Sequence, residues 1–332
     1  MRFSLIICTY MRPKPLLNLL ESVNAQTRYP DAIIIVDGST NNATRKALEL
    51  ADFKGLVYYQ VEDEDRGLTK QRNFGISKVG TDIDVVCFLD DDIVLTPTYF
   101  STLLETYDQY PDALGVGGYI INDVNWQQLK NSQTIATDQF AYDGWVRKDG
   151  YRFVLRKKLG LDADRPPGFM PTFAHGRSVS FLPPSGKIYK VEQFMGGVSS
   201  YKRTVLEAQK FSEYFEGYGL YEDADYTLRL SKKGELYVHT GAKLYHYHEA
   251  SGRPNRYAYG KMVVRNGWYV WRVRFPEPSL KARFKWNAVS FMLTLIRLSN
   301  GLTSSKKKEA FTEAAGRFVG WLSVLVNPPK RK

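Results

Sequence analysis

Three carboxylates stand in a row at Asp90, Asp91 and Asp92, directly after the apolar run VVCFL. Adjacent acids oppose one another's ionisation. A solvated turn relieves that repulsion, and so does a positive charge set among them. Hard divalent cations take oxygen ligands, and Mg²⁺ or Mn²⁺ commonly bridges one or two carboxylates to phosphates. A cation here would mark a phosphate-bearing substrate. A second acidic pair, Glu222-Asp223, lies in GYGLYEDADYTLRL, where Tyr226, Leu228 and Leu230 predict the start of a helix. Acids at a helix N-terminus cap it and complement its dipole. The sharper alternative is a general base held by the helix start. LYHYHE then sets His246 and His248 two residues apart, on one side of a strand. Such a pair is either structural or a pair of ligands, and it matches no HExxH zinc spacing.

The elements that must position these groups alternate through the first 120 residues. Strands are expected at 3–8, 32–37, 56–61 and 84–90, and helices at 13–26, 43–51 and 68–79. In the first helix Leu16, Leu19, Leu20 and Val23 fall at helical spacing. Continuous apolar strands between helices indicate a parallel sheet covered on both faces, hence a doubly wound α/β domain. Such sheets bind ligands at the carboxyl ends of their strands. Thr9-Tyr10, Asp37-Gly38-Ser39, Asp65-Arg66-Gly67 and Asp90–Asp92 all converge there. No GxGxxG follows the first strand, so the dinucleotide fingerprint is missing. Residues 121–190, with Pro166-Pro167 and Pro183-Pro184, read as a loop-rich insertion or lid. Two helical patterns close the chain. In 286–298 the polar Asn287, Ser290, Thr294 and Arg297 share one face. In 311–325 the apolar set is Phe311, Ala314, Phe318, Trp321 or Leu322, and Leu325.

Charge divides the chain. Residues 251–332 hold 17 Lys or Arg against 3 Asp or Glu, while the preceding 250 carry a net −3. Four of the six tryptophans (Trp268, Trp271, Trp286 and Trp321) also lie in that basic tail. An anionic partner is implied: a membrane surface, nucleic acid or another polyanion. Nothing resembles an RNA-binding motif, so nucleic acid is not expected. Tryptophan and basic flanks on amphipathic helices suit an anionic membrane surface, expected over 281–332. The competing expectation packs the same apolar faces on the catalytic domain. With 332 residues, 43% of them hydrophobic, the chain can bury a sizeable core in one large domain or two. Two cysteines, Cys8 and Cys87, exclude a disulfide framework and read as buried free thiols in a reducing compartment. MRFSLIICTY does not read as a signal peptide, and no stretch approaches the roughly 20 apolar residues that span a bilayer. The expected location is the cytoplasm, with peripheral attachment to the inner face of the cell membrane if the tail binds lipid.

Taken in order, TY after the first strand, the VDGST turn, DRGLTKQRNFGI, FLDDD, GYGLYEDADYTLRL and YHYHE resemble the family 2 glycosyltransferases over about residues 3–250. The resemblance implies a GT-A fold, a nucleotide-sugar donor (a UDP-sugar by family habit) and inverting transfer to an acceptor hydroxyl on a glycan or lipid-linked glycan. It implies that Thr9, Tyr10 and Asp37 hold the nucleotide base, with Arg66, Arg72 and Asn73 on the nucleotide side. Asp90 and Asp92 match the outer acids of the DxD motif, with Asp91 between them; the first addresses the ribose and the last the metal, Mn²⁺ or Mg²⁺. His246 completes the metal site in preference to His248. Asp223 is the base, beside Glu222. Gly197, after Gly196, would let backbone approach the donor sugar or acceptor closely, or else form an ordinary turn. The implied division is a catalytic domain over 1–250 and a basic helical extension over 251–332. Within the domain, 1–120 is the nucleotide half and 121–250 the acceptor half. No QxxRW-type motif follows the acidic pair, so single addition is expected rather than processive synthesis. LDDDIVL also fits a phosphatase pattern with Asp90 as nucleophile, but there the motif ends the first strand, and here it ends the fourth.

Overall fold

Unbroken apolar runs make the first strands of the main sheet. The computed structural model describes residues 1–122, 125–130, 134–215, 217–247, 255–303 and 305–330, so His248 lies outside the described residues. Phe3–Thr9 forms β1, Ala32–Asp37 β2, Leu56–Gln60 β3 and Val85–Asp90 β4. Between them lie α1 (Pro13–Asn24), α2 (Ala43–Glu49) and α3 (Leu68–Ser77). α1 begins on prolines, whose missing N–H is no loss in a first turn, and buries Leu16, Leu19, Leu20 and Val23. Next come β5 (Ile93–Leu95), α4 (Tyr99–Gln109) and β6 (Ala113–Ile120). The segment after them holds β7 (Gln127–Gln128), β8 (Gln139–Tyr142), β9 (Trp145–Lys148) and α5 (Tyr151–Lys158). The sheet resumes with β10 (Ile188–Val191) and β11 (Val198–Lys202), followed by α6 (Arg203–Ala208), α7 (Glu222–Leu230) and β12 (Glu235–His246). Three helices follow: α8 (Arg256–Arg274), α9 (Leu280–Thr303) and α10 (Lys307–Val326).

The main sheet runs β10-β12-β6-β11-β4-β1-β2-β3, with β5 paired to β12. β3, β2, β1 and β4 are parallel neighbours, while β11 runs antiparallel between β4 and β6. Six of the nine strands point one way, since β6 and β12 are parallel to each other and β5, β10 and β11 oppose them. This is the mixed α/β, mostly parallel sheet that the alternating pattern predicts. The register sets Cys8 opposite Asp90 and Thr9 opposite Asp37, so the strand ends carrying polar residues finish level. Cys8 and Cys87 are free thiols.

Two compact units divide the chain: residues 1–123 with 184–252, and residues 124–183 with 253–332. Compactness thus groups the insertion with the C-terminal helices, whereas the sequence pattern set its boundary at residue 250. Within the second unit β7, β9 and β8 form a small antiparallel sheet. Trp271 and Trp286 stack with centroids 5.8 Å apart, and Trp271 Nε1 donates to the Thr172 carbonyl at 3.0 Å. Both indoles are fully buried, so two of the four tryptophans expected at a membrane surface are instead core of this unit. Among the described residues no helix is long and apolar enough to cross a membrane.

Candidate functional site

All the described candidate residues fall in the first unit: at the carboxyl ends of β1, β2, β4 and β12, on α3 and the turn before it, in the turn before β11, and at the start of α7. Cations and hydroxyls answer the repulsion within the acid triplet. Asp91 is buried; Thr9 Oγ1 donates to one of its oxygens at 2.6 Å, and Arg12 Nη1 lies 3.0 Å from the other. Burial still pushes the Asp91 carboxyl up to about 6, with Thr9 and Arg12 pulling the other way. Arg12 also reaches Asp92 at 3.5 Å. His246, at the end of β12, sets Nε2 3.0 Å from Asp92 Oδ1. One ligand atom each from Asp90, Asp92 and His246 lie within 4.8 Å of one another. Two carboxylates supply the oxygen ligands that Mn²⁺ or Mg²⁺ takes, an imidazole stands beside them as a softer ligand, and the chain brings the three together from β4, the turn after it, and β12. The residues therefore fit a divalent cation.

Arg72 connects this triplet to the second acidic pair. It is buried on α3, stacks over Phe211 at 5.2 Å, bonds Glu222 Oε1 through Nη1, and brings Nη2 to 3.6 Å from Asp90 Oδ1. Burial pushes the Glu222 carboxyl up to about 8; Arg72 offsets part of that, and Asp223 adds to it. Glu222 Oε2 is buried without a hydrogen-bond partner, so the proton has a natural seat. Asp223 differs. Its side chain is partly open, Oδ2 accepts from Gly196 N at 3.3 Å, and Oδ1 accepts from Ala224 N at 2.7 Å. Burial raises its pKa too. A backbone strained into the left-handed region at Tyr221 (φ 70°) delivers both acids to the first turn of α7.

Two glycines make room for this ion network. A Cβ at Gly197 would stand 2.0 Å from Asp90 Oδ2, and one at Gly196 would stand 2.6 Å from both Arg72 Nη1 and Glu222 Oε1. The free space beside them is filled by the chain's own charged groups, and Asp90 N donates to the Gly197 carbonyl at 3.0 Å.

The remaining expected residues divide by exposure. Tyr10 is 44% exposed, so its ring can stack on a planar ligand. Arg66 is half-buried, with Nε donating to the Gly38 carbonyl at 2.7 Å and an ion pair to Asp63. Three residues expected against the nucleotide are engaged inside the protein. Asp37 is fully buried, accepting from Ser39 N and Tyr58 Oη at 2.8 Å each. Asn73 exchanges hydrogen bonds with the backbone of Phe211. Arg72 is committed to the acids as described. Sequence reasoning missed Arg12 and Gln71. Gln71 ties the end of β1 to β2 by donating to the Thr9 and Val36 carbonyls, at 3.1 and 2.8 Å. The signal for Arg12 was its place in TYMRP, three residues past β1 on the edge that carries the acids.

The strand ends of the α/β sheet finish level, and a carboxylate–imidazole cluster and a pair of acids with raised pKa stand beside them. The model of Glycosyl transferase family 2 matches residues 4–190, more than half of the chain. The chain belongs to that family, which sets aside the aspartyl-phosphate reading of Asp90. It is similar to a glucosyl-dolichyl phosphate glucuronosyltransferase of Haloferax volcanii, 36% identical over 37% of this chain and 39% of that one. It also resembles an O-antigen chain rhamnosyltransferase of Salmonella typhimurium, at 32% identity over 29% of each chain. The chain thus spans less than two fifths of either relative. The solved structure of S. aureus TarS matches 92% of this chain and 46% of its own, with 15% identity and a TM-score of 0.48.

Proposed function

We propose that this enzyme transfers a sugar, with inversion, from a UDP-sugar to a hydroxyl of a glycan or lipid-linked glycan. The observation that carries the reading is the joining of two acid sets, Asp90–Asp92 and Glu222-Asp223, through Arg72 within a family 2 chain. The Haloferax and Salmonella relatives bear names of transferases acting on a dolichyl-phosphate-linked sugar and on O-antigen chains, which favours that acceptor class. A divalent cation at Asp90, Asp92 and His246 would supply positive charge to the diphosphate, easing its departure.

The chain's own groups do the rest. Tyr10 stacks on the base, with Arg66 beside it. Asp37, Gln71 and Asn73 act at one remove, holding the turns that form the donor edge. Asp223 has an accessible carboxylate at a helix start and a raised pKa, which suit it to take the proton from the acceptor hydroxyl. Glu222, its pKa raised by burial and its carboxyl bonded to Arg72, orients rather than accepts. Attack opposite the leaving diphosphate inverts the anomeric carbon without a covalent enzyme intermediate. The donor is assigned to the edge of β1–β4 and the acceptor to the side of α7, in a peripheral enzyme of the cytoplasmic compartment.

Calorimetry with UDP and GDP, with and without Mn²⁺, tests this on the wild type and on Asp92→Ala. UDP binding that needs Mn²⁺ and disappears in the variant is expected. A folded wild type that binds neither nucleotide overturns the reading.

A further inference from the structure

α9 is apolar on its buried side, through Trp286, Val289 and Met292, and on its exposed side as well. Its small polar residues face inward: Ser290 is 4% exposed and Thr294 8%. Ser290 Oγ lies 3.4 Å from His175 Nε2 within the same unit. Large apolar side chains face outward. Leu280, Phe284, Phe291, Leu295, Leu298 and Leu302 are all exposed, Phe284 by 74% and Leu302 by 72%. Their spacings of four, seven, four, three and four residues put all six on one narrow stripe of a helix with 3.6 residues per turn. α10 repeats the pattern: Phe311, Phe318, Leu322 and Leu325 are exposed at spacings of seven, four and three. The two stripes meet at Trp321, whose ring lies 6.3 Å from Phe291 and 6.2 Å from Phe318, and whose Nε1 donates to Asn287 Oδ1 at 2.8 Å. One continuous apolar face results, and apolar faces of that extent mark interaction surfaces.

Charge around the face selects the partner. Exposed Lys281 and Arg283 flank the start of the α9 stripe, and exposed Lys306, Lys307 and Lys308 open α10. Those three lysines line an open depression of about 560 Å³ together with Arg256, which is ion-paired to Glu309 at 2.8 Å within it, so the lysines supply its net positive charge. Hydrocarbon bordered by cations matches the chemistry of an anionic bilayer surface, acyl chains beneath phosphate. We propose that the α9–α10 face seats in the headgroup layer of an anionic membrane, with Phe284, Phe291, Leu295 and Leu302 entering the acyl boundary. The basic depression then takes lipid phosphates. This inference deepens the lipid-linked acceptor reading, but its test needs no nucleotide, so either can fail alone.

Flotation of the full chain on vesicles of phosphatidylcholine with and without 30 mol% phosphatidylglycerol reads the proposal. The wild type is expected to float with the anionic vesicles and to be released in high salt. Phe284→Gln with Leu302→Gln should weaken partitioning roughly tenfold. Replacing Lys306, Lys307 and Lys308 by alanine should weaken it roughly a hundredfold, at about fivefold per lysine. Circular dichroism of both variants should match the wild type, since every replaced side chain is exposed. No flotation of the wild type overturns the proposal. So does flotation that the apolar pair leaves unchanged, because charge alone would then suffice. Sedimentation without lipid covers the other occupant: a dimer that the apolar pair dissociates assigns the face to a second copy and overturns the membrane.

Discussion

The donor edge of the first unit and the α9–α10 face of the second break opposite rules. At the edge the chain buries charge: Arg72 is 3% exposed, Glu222 5% and Asp91 4%. On the α9–α10 face it exposes hydrocarbon while covering Ser290 and Thr294. Burying ions costs desolvation that only close pairing offsets, and an exposed apolar patch loses the gain of burial. Neither arrangement is what stability alone would select. Each makes sense with a partner outside the chain, one bearing phosphate and the other acyl chains. The edge therefore should respond to substitution in chemistry and in pH, whereas the face should respond only when a partner is present.

The largest effect is expected at the edge. Asp223→Asn keeps the size of the side chain and can accept from one of the two backbone groups, Gly196 N or Ala224 N, but it cannot accept a proton. Transfer should slow about a thousandfold, within the range general bases contribute, while UDP binding by calorimetry changes less than about threefold. Equal loss of binding and turnover would assign Asp223 to the donor instead and leave the edge without its base.

A smaller effect concerns pH. Burial raises Glu222 from an ordinary glutamate value of 4.5 to about 8. Between those values the folded state holds a proton that the unfolded chain has released, so stability falls as pH rises. The Glu222 contribution is fully present below about pH 4.5 and lost once pH passes 8. Glu222→Gln carries no proton to lose. Thermal unfolding from pH 5 to 9 should therefore decline less steeply in this variant than in the wild type. An unchanged slope would mean that Arg72 keeps Glu222 ionised in the fold.

How legible each region was in the sequence follows from the same contrast. Strands 3–8, 32–37, 56–61 and 84–90 were readable within two residues because they are mostly apolar runs bounded by turn residues. The convergence of Thr9, Asp37 and Asp90 on one edge was readable because parallel strands finish level at their carboxyl ends. The directions of neighbouring side chains on α3 were not: Gln71 turns to the ends of β1 and β2, Arg72 to the acids, and Asn73 to Phe211. Adjacent helical positions lie 100° apart, and only packing decides which one meets the ligand. Gly197 was readable as a place of close approach, but the approaching group is Asp90. In α9 the limits of pattern are plainest. Apolar residues occupy nearly the whole circumference, so the shared face of the few polar ones does not say which way the helix turns, and packing puts Ser290 and Thr294 inside. The tryptophans misled for a related reason. An indole suits an interface, but its area suits a core better when its N–H finds an acceptor, as Trp271 finds Thr172.

The smallest expected effect is on the stability of the α9–α10 face, and it separates the two regions most cleanly. Phe284 and Leu302 are about three quarters exposed. Replacing both with glutamine removes hydrocarbon that already lies in water, so little burial is lost on folding. Surface changes of this kind stay within about 0.5 kcal/mol. Denaturant unfolding of the double variant without lipid should therefore match the wild type. Anionic vesicles sharpen the result. By linkage, a surface that binds only the folded chain raises its stability, so vesicles should protect the wild type and protect the variant less. Two outcomes break the contrast. Marked destabilisation without lipid would mean that the face is already covered in the folded chain. Equal protection by vesicles would mean that lipid reads the lysines and ignores the hydrocarbon beside them.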